Sequence, residues 1–378
     1  MKDKSKKKKI FWQKYIVMAI YLLVGIICGI LFVQYIDSLD VERTPDGELL
    51  IFIALIIVIY IAILLQMIIH EVGHLVFGLL TGYRFSSFRI ASIMLVRENG
   101  KLRFKRLSLA GTGGQCLMAP PEMVDDKIPI TLYNLGGSLM NLIAGLVFLG
   151  IYFLIGELSL ISTIMLMLSV LGFCAALTNG IPMRLGMIDN DGYNALSLSK
   201  NREALRAFWI QLKINEQTTK KIRLKDMPKE WFEVPSDEAM ENSMVAAIGV
   251  FACNRLMDEH RFEEADRLMA HLFDSNITMV GLHRNLLLCD RIYCELISEN
   301  RHEKLDKMLN KELRRFMRAM KKYPSVIRTE YAYTLLAEKN NTKAETIRAQ
   351  FEKRARVYPY QGELQFEREL IDIANKSQ

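Results

Sequence analysis

Residues Leu49 to Gly82 read LLIFIALIIVIYIAILLQMIIHEVGHLVFGLLTG. The run stays apolar for more than the ~20 residues that a bilayer-spanning helix requires. Near its end stand His70, Glu71 and His74, spaced as HExxH. On a helix, two His four positions apart lie on one face and can both ligate zinc, while the Glu beside them can act as general base on a metal-bound water. Ionisable groups inside a membrane span are costly and mark function. The stretch therefore predicts a long membrane helix carrying most of a hydrolytic metal centre. The other four His all follow residue 250, so the motif does not belong to a histidine-rich region.

On either side of this run, further apolar stretches predict four spans in all, at about 15–36, 49–80, 132–155 and 158–178. The second is longer than a bilayer needs, so it tilts or projects beyond the hydrocarbon. The start, KDKSKKKKIFWQK, carries seven Lys against one Asp and is expected in the cytoplasm by the positive-inside rule. No small-residue cleavage site follows the first span, so it is read as a retained helix. The loop DSLDVERTPDGE is acidic and fits the opposite side. Residues 83–130 are basic (Arg84, Arg89, Arg97, Lys101, Arg103, Lys105, Arg106) and return to the cytoplasmic side. The polar second half follows there. The expected location is a bacterial cell membrane, crossed four times, with both termini cytoplasmic. The net charge of +7 is accounted for by this bias and gives no reason to expect nucleic acid. Six Cys without a CxxC pair predict buried thiols rather than disulfides.

A catalytic zinc takes three protein ligands and a water, so a third ligand is needed beyond His70 and His74. The fourth span ends in Asn179-Gly180-Ile181-Pro182, where proline stops or kinks the helix, and Asp189, Asp191 and Gly192 follow. Topology brings this end to the same side as His70 and His74. In the third span Gly137, Asn141 and Gly145 share one face, where small residues admit a neighbouring helix and a polar Asn needs a partner.

These motifs together resemble the site-2 protease family of intramembrane zinc metalloproteases. That family combines HExxH in one membrane helix with Asn-x-x-Pro and then Asp-Gly at the end of a later one, here Asn179, Pro182, Asp191 and Gly192. The family's Gly-Pro-x-x-Asn pattern corresponds to Gly137 through Asn141, with Ser138 in place of the proline. The resemblance covers about residues 50–196. It implies one Zn(2+) per chain on His70, His74 and Asp191, with Glu71 as the base. Asn141 and Asn179 would bond the scissile peptide or its oxyanion. The interval from Pro182 to Asp191 is longer than the family's usual one, which leaves Asp189 as a competing ligand. Gly192 directly after Asp191 favours the latter.

Between the second and third spans, residues 92–107 predict a β-hairpin about Asn99-Gly100, with Leu102 and Phe104 alternating with Lys101, Arg103 and Lys105. A protease must hold its target extended, and a strand edge at the membrane surface can do so by strand addition. From about residue 243, helical spacing and the aligned segments 255–259, 295–299 and 334–338, offset by 40 and 39 residues, predict helix-pair repeats of a tetratricopeptide-like (TPR-like) kind. Lys304 to Lys322 carries eight basic residues against two acidic ones, a solvated helix face or a surface for anionic lipid. The expected layout is a basic segment 1–14, a membrane metalloprotease core 15–198 with its β region at 83–130, a linker 199–242 and a cytoplasmic helical-repeat domain 243–378. The fold is thus mainly α. The expected activity is that of a zinc metalloendopeptidase cutting peptide bonds in or beside transmembrane segments. Its partners would be a membrane protein or peptide substrate, the lipid bilayer and a cytoplasmic protein on 243–378. The rival reading is a catalytically silent membrane adaptor working through its repeats.

Overall fold

The computed structural model describes residues 2–39, 44–98, 100–109, 112–184, 189–275 and 277–378, those of 2–11 and 14 by backbone alone. Among the described residues four helices are long and apolar enough to cross a membrane. They are α1 (Lys2–Asp37), apolar from Tyr15 on, α2 (Pro45–Leu80), α3 (Ile130–Ile155) and α4 (Leu160–Gly180). Each boundary has a local cause. At α2 the Thr44 side chain accepts from Gly47 N–H, Pro45 takes a first-turn position, and Asp46 and Glu48 meet the positive end of the helix dipole. Ser159 and Ser162 cap α4 reciprocally, and Gly156 ends α3 in the left-handed region. At 1.5 Å per residue α2 is about 54 Å long, well beyond the ~30 Å hydrocarbon layer. Leu50, Tyr60 and Leu154 are 67%, 69% and 86% exposed. Apolar area of that extent needs lipid against it, and the protein is an integral membrane protein. Val24, Cys28 and Phe32 of α1 pack with Ala62 of α2 and Met167, Leu168, Leu171 and Cys174 of α4.

The chain divides into two compact units, one of Met1–Gly82 with Pro129–Lys200, the other of Tyr83–Ile128 with Asn201–Gln378. The first unit also contains α5 (Asp191–Lys200). The second opens with strands β1 (Arg84–Ile90), β2 (Ile93–Glu98), β3 (Lys101–Arg106) and β4 (Gly114–Ala119). They form an antiparallel sheet in the order β3-β2-β1-β4. The expected hairpin is the β2–β3 pair, with Gly100 at φ +78°; Asn99 lies outside the described residues. The sequence pattern missed β1 and β4. The β1–β2 turn is Ala91-Ser92, with Ala91 at φ +51°, so the usual glycine or asparagine signal of a tight hairpin is lacking. The turn is held instead by the buried Arg89 guanidinium, which donates to Ala91 O, Thr112 Oγ1 and Gly114 O. One sheet face buries Ser87, Arg89, Met94 and Val96. On the other, Phe104 opposite Leu95 is 79% exposed.

Helix α6 (Arg202–Thr219) occupies much of the stretch expected as a linker. It packs against β4, and just past that strand the Trp209 indole N–H donates to Pro121 O and Lys213 pairs with Glu122. This packing groups residues 83–128 with the helices that follow rather than with the spans. Beyond short 3-10 turns come α7 (Ser243–Asp258), α8 (Phe262–Asp274), α9 (Gly281–Ile297), α10 (His302–Met308), α11 (Lys311–Ala319), α12 (Pro324–Ala332), α13 (Asn341–Ala355) and α14 (Gln361–Lys376). A π turn, Tyr333–Ala337, continues α12. Three helix pairs, α7/α8, α9/α10 and α12/α13, each turn through one residue of positive φ: His260, Asn300 and Lys339. The spacing of these turn residues matches the offsets read in the sequence. The pairs are unequal, since α10 has 7 residues where α8 and α13 have 13 and 15. Along α10 and α11, Leu305, Leu309, Leu313, Phe316 and Met320 are buried, so the basic residues between them form an outer face.

Candidate metal centre

The backbones of α2 and α3 touch where both lack side chains. A Cβ on Gly73 would lie 2.3 Å from Gly136 O, and one on Gly136 would lie 2.7 Å from Gly73 O. That approach presses the HExxH face onto α3. Gly137 makes room for the His70 ring, since a Cβ there would sit 2.5 Å from its Cε1. Asn141, one turn further along α3, is fully buried.

Both imidazoles are oriented through Nδ1. His70 Nδ1 is 2.8 Å from Asn141 Oδ1, and His74 Nδ1 is 2.7 Å from the carbonyl oxygen of Tyr133. The Asn141 amide is oriented in turn, because its Nδ2 donates to Gln66 O at 2.9 Å and to Gln66 Oε1 at 2.8 Å. Gln66 Nε2 donates to Leu168 O of α4 at 2.7 Å. Oδ1 must therefore face His70, and both rings carry their proton on Nδ1. Their Nε2 atoms lie 3.2 Å apart.

The third donor comes from the start of α5. Asp191 Oδ2 lies 3.0 Å from His70 Nε2 and 3.3 Å from His74 Nε2. It is held there by its neighbours. A Cβ on Gly192 would lie 2.1 Å from Gly180 O, so only glycine lets α5 start against the end of α4. Asn190 joins the two. Its Oδ1 accepts from Met183 N–H and Tyr193 N–H, and its Nδ2 donates to Thr178 O and Ile181 O. Asp189 points elsewhere, into an ion pair with Arg184 at 3.1 Å, and Arg184 also lies over the Tyr193 ring.

Nε2 of His70, Nε2 of His74 and one Asp191 oxygen thus lie within 4.8 Å of one another. With both rings neutral and their proton on Nδ1, no proton separates the two Nε2 atoms from each other or from Asp191 Oδ2, which is buried. Three acceptors forced together in this way fit a cation, and two imidazoles with one carboxylate suit zinc. Glu71 is buried and one helical turn from His74. Asn179 is partly buried and bonds through Nδ2 to Ala175 O of its own helix. Gln66, Tyr133 and Asn190 were not singled out from the sequence. Gln66 did carry a signal, as a polar residue in an apolar run one turn before His70.

Helices that need lipid bring together two His and an Asp that could hold a metal ion. The family model of Peptidase family M50 matches residues 58–350. The chain belongs to this family, the site-2 proteases, a family of zinc metalloproteases of the membrane. No individual curated protein and no solved structure matches it.

Proposed function

We propose that the protein is an intramembrane metalloendopeptidase that hydrolyses peptide bonds in or next to transmembrane segments. The observation that carries the reading is the convergence of His70, His74 and Asp191 with both Nδ1 atoms tied away. These three residues would hold one zinc ion. When bound, zinc supplies a Lewis acid that lets water act as a nucleophile near neutral pH. Glu71 takes the proton of the attacking water and returns it to the leaving amine nitrogen. Asn141 spends its amide on His70 and Gln66, so its part is to hold the ring. The second N–H of Asn179 is the donor proposed for the oxyanion. β3 lies at one edge of the sheet, exposed from Lys101 to Phe104, and that part of the edge, before Arg106 whose N–H is taken by Val357 O, suits strand addition by an extended substrate. The helix pairs from α7 onward are proposed as a cytoplasmic, TPR-like surface for a protein partner, with both termini on that side.

Glu71→Gln tests the reading. Zinc content of the purified chain is expected to stay at one per chain, while cleavage of a transmembrane peptide in detergent falls by roughly 10²- to 10⁴-fold. Equal cleavage by the variant would remove Glu71 from the reaction. Zinc binding with no cleavage by the native chain, across a broad peptide panel, would favour the adaptor.

A further inference from the structure

The second unit holds a partly open cavity of about 270 Å³. Leu117 of β4, Ile214 of α6, Phe251 of α7, Leu286 of α9 and Phe366 of α14 give it apolar walls, and Asp290, Glu363 and Glu367 also line it. We propose that this cavity binds a small organic cation, an ammonium or guanidinium group on a short hydrocarbon body, with Glu363 as its counter-charge.

The balance of charge carries the inference. Arg328, fully buried, pairs with Asp290 and, through Nε, with Glu367 at 2.9 Å. Those two carboxylates already exceed their one cation. Glu363 adds a third carboxyl, and among the described residues no basic side chain pairs with it. It accepts a hydrogen bond from Tyr358 Oη at 2.9 Å, and the Tyr323 hydroxyl is a second neighbour that favours its charged form. The other groups about it are Glu367 on its own helix, Asp290 on α9, Arg328 on α12 and the Tyr360 hydroxyl. Burial first, and then the charge of Glu367, pushes Glu363 up to about 8, so it is largely protonated at neutral pH. The remaining lining bases are not available to an anion. Burial pushes His283 down to about 4, and Arg223 is engaged by Asp258 and Glu369. An anionic ligand meets repulsion here and a purely apolar one leaves the carboxyl unused. A cation with a hydrocarbon body answers both the walls and the charge. Its arrival converts the Glu363 carboxyl to a carboxylate and releases that proton to solvent.

The test uses the full chain in detergent and calorimetric titration with hexylamine at pH 7, in buffers of different ionisation enthalpy. Hexylamine is expected to bind with release of up to one proton per molecule, and hexanoate is expected not to bind. Glu363→Gln should weaken hexylamine by about tenfold or more and abolish the proton release, while still binding hexanol, which reports that the cavity is intact. Leu286→Trp, which fills the space and leaves the carboxyls, should exclude hexylamine. A leucyl-lysine amide competing with hexylamine would mean that the cation arrives on a peptide; failure to compete would mean that it arrives as a free amine. Hexanoate binding as tightly as hexylamine, amine binding without proton release, binding unchanged in Glu363→Gln or Leu286→Trp, or no amine binding at all would each overturn the proposal.

Discussion

An imidazole ligates a metal through whichever nitrogen lacks the proton, so the neighbours of a histidine decide whether it can serve. Here the decision runs through Gln66, which fixes Asn141, which fixes His70. Such outer partners commonly account for about 10- to 100-fold in metal affinity. Gln66→Leu puts an apolar side chain of similar bulk in the span and removes the side-chain bonds to Asn141 and Leu168 O, leaving Asn141 its bond to the backbone oxygen of residue 66. Zinc affinity, read by competition with a chromophoric chelator, is expected to fall by about that factor with helix content unchanged; native affinity would show that Asn141 orients His70 unaided. HExxH and Asp-Gly were legible because their chemistry is written in residue type and spacing. Asp191 was favoured over Asp189 by the glycine that follows it; what residue type and spacing did not disclose is that Arg184 holds Asp189 in an ion pair.

At the scale of elements, glycines set how closely helices meet. Gly73 with Gly136 brings α2 onto α3, and Gly192 with Gly180 brings α5 onto the end of α4. Gly192→Ala should push the start of α5 away, at a cost of about 1–3 kcal/mol, and lower zinc affinity by displacing Asp191. Gly150→Ala is the control, since nothing lies within 4 Å of a Cβ there; thermal melts and zinc titration of the pair distinguish the two sites. The spans could be read from composition because a bilayer demands length and apolarity alone. The β2–β3 hairpin could be read from its turn. β1 and β4 could not, since Ala91 in a left-handed turn and the buried Arg89 that holds it leave no local mark. Residues 202–219 read as a linker because their polar face hides that Trp209 and Lys213 hold Pro121 and Glu122, just past β4.

In the whole molecule the metal-type site belongs to one unit and the cavity to the other. His70, His74 and Asp191, and Gln66, Asn141 and Tyr133 behind them, lie in the unit of 1–82 and 129–200. Stripping the metal with 1,10-phenanthroline should therefore raise amide hydrogen exchange in α2, α3 and residues 189–200 and leave β1 to β4 and α7 to α14 at native protection, because the ligand stabilises only the unit that binds it. Equal loosening of both units, followed by mass spectrometry, would show one cooperative structure. The sequence by itself determined the spans, the two His with their glutamate, and the family. Each rests on local hydropathy or fixed spacing along one helix. Tertiary structure alone decided which nitrogen of each His faces inward and that the sheet belongs with the later helices. Those outcomes depend on atoms 59 to 102 residues apart in the chain, and no local pattern encodes a contact of that range.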